Sequence, residues 1–353
     1  MPSINDNLKM FGNYDWSRRG HEWSTEWAST PLLWQTELFP RLGFFLPAGS
    51  ILEIAPGYGR ITAHLLSYCE KLYGIDINQN CVDACNETFK GLNCEFHKND
   101  GLLFDMIPDN SIDFCFSWDS LVHVDDNVIR SYLVEIKRVL KDGGYAFLHH
   151  SNLAEYVSPA ENVLVENLGW RSSGVSGDLV ADEARRIGMR AVSTEKFVWS
   201  SNSFTDCISV LCNRSDDVGR SVLYNPFIKD HAQYVRALSS FYNTGSQGCS
   251  GVLPSSFASV FSHLASASCF RKLVIAGDKK RAFEISDMLK KVYGVDDDRM
   301  ECQSEICDDF DAEKYYYIFC DPTNAAKSAE KADGAALRER FNYTVLTDFP
   351  NRL

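Results

Sequence analysis

The sequence predicts an α/β protein with a mostly parallel sheet of seven strands, followed by a smaller α/β unit. Three observations carry this. Short apolar runs alternate with helical patterns over residues 50–213, as parallel strands joined by crossover helices require. The first run, Ile51-Leu52-Glu53-Ile54, breaks directly into Ala55-Pro56-Gly57-Tyr58-Gly59-Arg60, a strand that ends in a glycine-bearing turn. The last two runs are separated only by Ser200-Ser201-Asn202-Ser203, which reads as an antiparallel hairpin closing the sheet edge.

Residues 1–49 read as a Trp-rich helical lid or cap. Trp16, Trp23, Trp27 and Trp34 repeat at 7, 4 and 7 residues, which would align them on one helix face, but Gly20 and Pro31 argue against a continuous helix. A core-facing aromatic stripe is the simpler reading; a lid over a bound ligand is the functional one. Strands are expected at about 51–55, 71–77, 93–98, 111–118, 143–150, 190–199 and 204–212. Between the fourth and fifth, Ile129, Tyr132, Leu133, Ile136 and Leu140 recur at helical spacing. Gly143 and Gly144 would supply the positive φ that stops this helix. The polar run 214–220 looks like a linker. Beyond it, over 221–353, a strand and turn at about 273–278 precede a helix with Ala282, Ile285, Leu289 and Val292 on one face. Further strands are expected at about 315–320 and 343–346, giving a small Rossmann-like unit. Its lone Gly277-Asp278 turn names no ligand, and a role in dimerisation or acceptor docking is the expectation.

Composition excludes several classes. With 353 residues, a formal charge of −13 and no Lys/Arg cluster, the chain would repel a phosphate backbone, so nucleic acid is not expected as a partner. The twelve cysteines form no C-x-x-C pair, accompany no His-rich zinc spacing and follow no signal-peptide pattern. They read as reduced thiols of a cytoplasmic protein. No apolar run approaches the roughly 18 residues of a membrane span, so any location at an inner membrane would come through partners.

The first turn indicates a nucleoside. Asp76 closes the second strand about twenty residues after it, where an acid can accept both ribose hydroxyls. A pyrophosphate favours a bare helix N-terminus, yet here no third glycine follows, Glu53 sits in the strand end, and Pro56 and Tyr58 separate the turn residues. A cationic sulfonium with its own ammonium and carboxylate suits this turn better. The pattern E-x-A-x-G-x-G resembles motif I of the class I S-adenosylmethionine (SAM) dependent methyltransferases, with Ala55 where the family usually has its first glycine. The resemblance implies a seven-stranded Rossmann-like sheet with a closing hairpin. It also implies cofactor contacts from Glu53, Ala55, Gly57, Tyr58, Gly59, Arg60, Asp76 and Ile77. Asn99, Asp100 and Gly101 would meet the adenine, although Asn-Asp-Gly is also ordinary turn chemistry. Ser117 and Trp118 would complete the site at the end of the fourth strand.

The acceptor side would lie at the ends of the fourth and fifth strands, over the switch point of the sheet. The N/D-P-P-Y/F clamp of amino methyltransferases is absent; Asp119 and His123 stand there instead. His149 and His150 close the fifth strand, on opposite faces. An imidazole with an unperturbed pKa near 6.5 suits a base that takes a hydroxyl proton, so His123, His149 and His150 are the candidates, with Asp119 beside them. Asp119 with His150 could alternatively hold a divalent ion such as Mg²⁺, though no spacing here makes a strong metal site. Residues from about 15 to 213 further resemble bacterial methyltransferases of surface-glycan and O-antigen biosynthesis. The matching segments are Trp23-Ser24-Thr25-Glu26-Trp27, 51–60, 109–113, 119–123, His149-His150-Ser151-Asn152, Trp170-Arg171 and 206–210. That resemblance implies O-methylation of a sugar or glycan, with Trp170, Arg171 and Asn152 facing the acceptor, and a homo-oligomer or glycan-assembly complex formed through the C-terminal unit. The alternatives are methylation of a glycan phosphate or small metabolite, an NAD-dependent oxidoreductase, and a non-catalytic SAM-binding scaffold.

Overall fold

A computed structural model describes residues 3–199, 202–216, 219–232, 265, 268, 272–303, 315–320 and 343–345. The chain forms two compact units. One comprises 1–16, 42–58 and 68–229, the other 17–41, 59–67 and 230–353.

The first unit is organised by the strands β1 (Ala48–Ile54), β2 (Cys69–Asp76), β3 (Cys94–Lys98), β4 (Ile112–Leu121), β5 (Leu140–Ser151), β6 (Arg190–Phe197), β7 (Asp206–Cys212) and β8 (Ser221–Asn225). Their order in the sheet is β3-β2-β1-β4-β5-β7-β6-β8. The ladder is parallel from β3 through β5, β7 runs antiparallel between β5 and β6, and β8 is parallel to β6. Because the chain winds outward from β1 to β3 and then returns to β4, the carboxyl ends of β1 and β4 diverge into a crevice. The middle of the sheet is dry: Ile51, Leu52, Phe114, Cys115, Phe116, Ala146 and Phe147 are all buried. Such strands, covered on both faces, read as unbroken apolar runs.

Helices α1 (Ile4–Gly12), α2 (Thr30–Leu33), α3 (Phe39–Leu42), α4 (Thr62–Leu65), α5 (Gln79–Thr88), α6 (Asp126–Val139) and α7 (Gly177–Arg186) complete the described order up to β8. Asp125 caps α6 by accepting from the Val128 N–H, and Val128, Ile129, Tyr132, Leu133, Ile136 and Val139 form its buried face. Each such side chain contributes about 1.5–3 kcal/mol through burial.

The seven expected strands are all present, with ends moved by at most three residues. Two expectations change. Helix α6 stops at Val139, and β5 begins at once; Gly143 (φ +74°) serves an irregularity in the β4–β5 ladder rather than a helix stop. The linker reading of 214–220 is followed directly by an eighth strand, whose residues are mostly exposed and so carry no burial pattern. Residues 200–201, 217–218 and 346, which fall in the expected hairpin connection, linker and last strand, lie outside the described residues.

The second unit holds the parallel strands β9 (Lys272–Ala276), β10 (Met300–Gln303), β11 (Tyr315–Phe319) and β12 (Tyr343–Val345), in the order β10-β9-β11-β12, with α8 (Lys279–Lys291). The Trp-rich stretch 17–41 folds here rather than as part of a cap over 1–49. It is broken at Gly20 (φ +81°) and Ala28 (φ +67°), and it buries Trp27 and Trp34. His21 Nε2 lies 3.2 Å from the Lys291 carbonyl, and His64 stacks on Trp34 and meets Tyr293 edge-on. Among the described residues no helix is long and apolar enough to cross a membrane.

Candidate active site

The carboxyl edge of the first unit's sheet carries two groups of side chains. At the β1 turn, Ala55 adopts a left-handed backbone (φ +55°), and its N–H donates to the Ile75 carbonyl at 2.7 Å. This is the conformation that glycine adopts freely, which explains why a glycine is usual at this place in the motif. Gly57 (φ +58°) follows, and the backbone N–H groups of Gly57 and Asn78 donate to the two carboxylate oxygens of Asp76 at 3.2 and 2.8 Å. Burial pushes the Asp76 carboxyl up to about 6, against the pull of the Asn78, Gly57 and Ile77 N–H groups. Asn99 donates through Nδ2 to the Tyr132 hydroxyl at 3.1 Å, while its Oδ1 is buried without a hydrogen-bond partner among the described residues. Asp100 is exposed; its Oδ1 caps the N–H groups of Leu102 and Leu103 at 2.8 Å.

Helix α1 lies along this edge. Ser3 and Asp6 form a capping box at its start, Ile4 closes on Gly101, Asn7 Nδ2 donates to the His123 carbonyl at 2.8 Å, and the Phe11 ring is 5.8 Å from the His123 ring. Just beyond the helix, Trp16 stacks flat on Tyr58 at 4.6 Å, and a Cβ added to Gly57 would meet its ring at 3.0 Å. Of the four tryptophans, only Trp16 belongs to the first unit, where it packs on this turn.

The second group surrounds His123. Its Nδ1 donates to the Trp170 carbonyl at 3.1 Å, and its ring is held between Phe11 and Trp170. Nε2 makes no hydrogen bond among the described residues, which leaves it as the acceptor nitrogen of a neutral imidazole. Burial and the Arg171 charge lower the His123 pKa, opposed by the Trp170 carbonyl, Asp119 and Asp206. Trp170 and Arg171 also line an open groove of about 620 Å³ together with Asp6, Lys9, Asn167 and Ser173.

The structure brings Ala55, Gly57, Tyr58, Asp76, Ile77, Asn99, Gly101 and His123 to this edge, with Glu53 buried near the end of β1. Other expected roles are corrected. His149 accepts the Asp119 N–H at Nδ1 and donates from Nε2 to Asp206, 3.0 Å each, so no lone pair remains for a substrate proton. His150 donates from Nδ1 to the Ser151 carbonyl and accepts from Ser209 at Nε2. Being fully buried, it is neither a free base nor an open metal ligand beside Asp119. No group of three or more His, Cys, Asp or Glu among the described residues is placed to hold a metal. Asn152 is buried and bonded to Glu155, Phe204 and Gly177. Arg171 is largely buried and is paired with Asp206 and the Gly169 carbonyl, while also lining the groove beside Trp170. The Ser117 hydroxyl turns into the sheet toward the Ile54 carbonyl, and the Trp118 ring packs on His149 at 4.5 Å. Arg60 belongs with Gly59 to the second unit, where it donates to Ser24 and lies over Trp23. Nothing in the local spacing of Asn7 and Phe11 marks them, and Asp206, though within the matching segment 206–210, carries no role that its sequence position reveals.

The parallel sheet with an antiparallel strand inserted beside β5, together with the Asp76 cradle, defines a class I SAM-dependent methyltransferase fold rather than the all-parallel dinucleotide sheet. Residues 51–144 match the family model described as a methyltransferase domain, and SAM is the cofactor of such a domain. An uncharacterized methyltransferase of Schizosaccharomyces pombe is 28% identical over 149 residues, 40% of this chain and 46% of the relative. A second from the same yeast is 31% identical over 115 residues, 29% of this chain and 40% of that protein. The chain thus spans less than half the length of these relatives. The crystal structure of a SAM-dependent methyltransferase from Aquifex aeolicus aligns over 51% of this chain and 90% of that one, with 20% identity and a TM-score of 0.39.

Proposed function

We propose that the chain methylates a hydroxyl group of a sugar- or glycan-like acceptor, using SAM and His123 as the general base. The observation that carries this reading is the state of His123: its Nδ1 proton is fixed by the Trp170 carbonyl, and its Nε2 makes no hydrogen bond among the described residues. His149 and His150 have both ring nitrogens engaged.

The residues of the first half suit SAM. Asp76 presents a carboxylate for a ribose diol, and Asn99 Oδ1 is a buried acceptor that still lacks a donor. Bound SAM supplies an activated methyl group on a sulfonium. The chain's own part is to orient the acceptor oxygen behind that methyl and remove its proton at His123 Nε2. The lowered pKa keeps His123 neutral, hence able to accept, at neutral pH. Helix α1, with Phe11 and Trp16, would exclude water. The groove beside His123 supports a polyhydroxylated acceptor, because it offers an aromatic face at Trp170 among the polar groups of Asp6, Lys9, Asn167 and Ser173.

The test is release of S-adenosylhomocysteine from SAM with a panel of monosaccharides, oligosaccharides, sugar phosphates and small hydroxylated metabolites. Turnover with a sugar, lost in His123→Ala at unchanged SAM affinity, is the expected result. Turnover with an amine alone, or turnover indifferent to His123, would overturn the reading.

A further inference from the structure

Three buried polar groups of the first unit have no place in that chemistry: Arg171, Asp206 and His149. All three are largely inaccessible, at 6%, 0% and 0% exposure. Asp206 Oδ1 lies 3.0 Å from Arg171 Nε, 2.8 Å from Arg171 Nη2 and 3.0 Å from His149 Nε2, while its Oδ2 accepts from the Thr205 hydroxyl at 3.1 Å. The far nitrogen of His149, Nδ1, accepts the backbone N–H of Asp119 at 3.0 Å. Trp118, Phe197 and Trp199 close around the imidazole, with ring centroids 4.5, 5.2 and 5.2 Å away, and Arg171 lies over the Trp199 ring at 5.0 Å.

The residue at the end of this chain is unusual. Asp119 has a left-handed backbone, φ +57°, at the point where the β4–β5 ladder loses register between Ser117 and Leu121. A non-glycine residue there costs on the order of 1–2 kcal/mol and persists only where its surroundings hold it. The charge of Asp119 acts on both His123 and Arg171. We infer that His149, Asp206 and Arg171 are positioning residues, which hold Asp119 in its left-handed turn so that its carboxylate supports His123. This inference rests on the reading of His123 as the base.

The logic is one of tautomers. A carboxylate only accepts, so Asp206 obliges His149 to carry its proton on Nε2, which leaves the Nδ1 lone pair for the Asp119 N–H. Burial would raise the Asp206 pKa, but the Arg171 charge and the His149 hydrogen bond overcome it and hold the group down to about 2, so the anchor stays ionised. Stability alone is a poor reason for such a cluster, since well-packed apolar side chains of similar volume commonly serve at least as well.

The experiment uses the full chain and has two readouts. Long-range ¹H–¹⁵N spectra report the His149 tautomer without turnover: wild type should show Nε2 protonated and Nδ1 bare. In Asp206→Asn the side-chain amide can donate to Nε2, which moves the proton to Nδ1, against the Asp119 N–H. Kinetics then supply a double-mutant cycle. Asp206→Asn should lower kcat by about tenfold with SAM affinity unchanged, and should add little to the loss in Asp119→Asn, because both act through the same carboxylate. A wild-type His149 protonated on Nδ1, or losses that multiply independently, would overturn the inference. The wild-type spectrum decides the tautomer even if Asp206→Asn does not fold. Absence of methyl transfer to every acceptor would sink the proposed function, a result distinct from a wrong tautomer.

Discussion

The two halves of the sheet's carboxyl edge are built by different means. The cofactor half, at the ends of β1, β2 and β3, is a backbone device. Its turn at Ala55 and Gly57 and the carboxylate of Asp76 lie within about twenty residues of each other, and N–H groups of the turn fix the acid directly. The acceptor half, at the ends of β4 and β5, is a side-chain device drawn from distant places: Asn7 and Phe11 from α1, Trp170 and Arg171 from a loop, and Asp206 from β7. On the proposed reading, the first design would bind a ligand common to a whole class of proteins and is spelled locally. The second would fit a particular acceptor and is spelled by the fold.

If this division is right, the halves should fail separately. The largest effect is expected in the acceptor half, where His123→Ala should lower kcat by about 10²–10⁴ while calorimetry finds SAM affinity unchanged. Asp76→Ala should do the converse, weakening SAM binding by roughly 100-fold as two charged hydrogen bonds are lost, with the fold intact by circular dichroism. A variant that damages both halves equally would break the comparison.

Acid should separate them further. If Asp76 holds the ribose as proposed, its carboxyl, pushed up to about 6 by burial, must be ionised to do so, and SAM affinity should fall as pH drops through about 6, by about tenfold per unit below it. As the proposed base, His123 would have to be neutral, and its lowered pKa keeps it so down to below the usual imidazole range. Turnover at saturating SAM should therefore resist mild acidification that already weakens binding, a contrast readable from kcat and SAM affinity measured across pH.

The smallest effects probe the turn itself. Gly57→Ala combines a positive φ with a Cβ only 3.0 Å from the Trp16 ring and should cost about 1–2 kcal/mol in denaturant unfolding. Ala55→Gly relieves the left-handed strain and should stabilise by up to about 1 kcal/mol, the added chain entropy of glycine offsetting part of the gain.

The same division explains what could be read from the sequence. The run 51–60, Asp76 and the alternation of strands and helices are local patterns, and the seven strands follow from them. Strand β8 escapes because an exposed edge strand has no buried face to mark it. The tryptophan spacing matches one helix face, but Gly20 already argues against a continuous helix, and the segment is indeed broken at Gly20 and Ala28; that Trp16 belongs to a different unit from the other three leaves no mark in the spacing. His123, His149 and His150 look alike as residues in a sequence. Only the partners that pairing and loop geometry bring to their ring nitrogens distinguish a bare acceptor from two engaged ones. Asp206 stands 57 residues from His149 and meets it because β7 pairs with β5.

The measurement that tests the account most directly is calorimetric titration of the purified chain and of Asp76→Ala with SAM, S-adenosylhomocysteine and NAD. Binding of the first two by the wild type, sharply weakened in the variant, with no binding of NAD, is the expected result. Binding of NAD alone, or SAM affinity indifferent to Asp76, would contradict it.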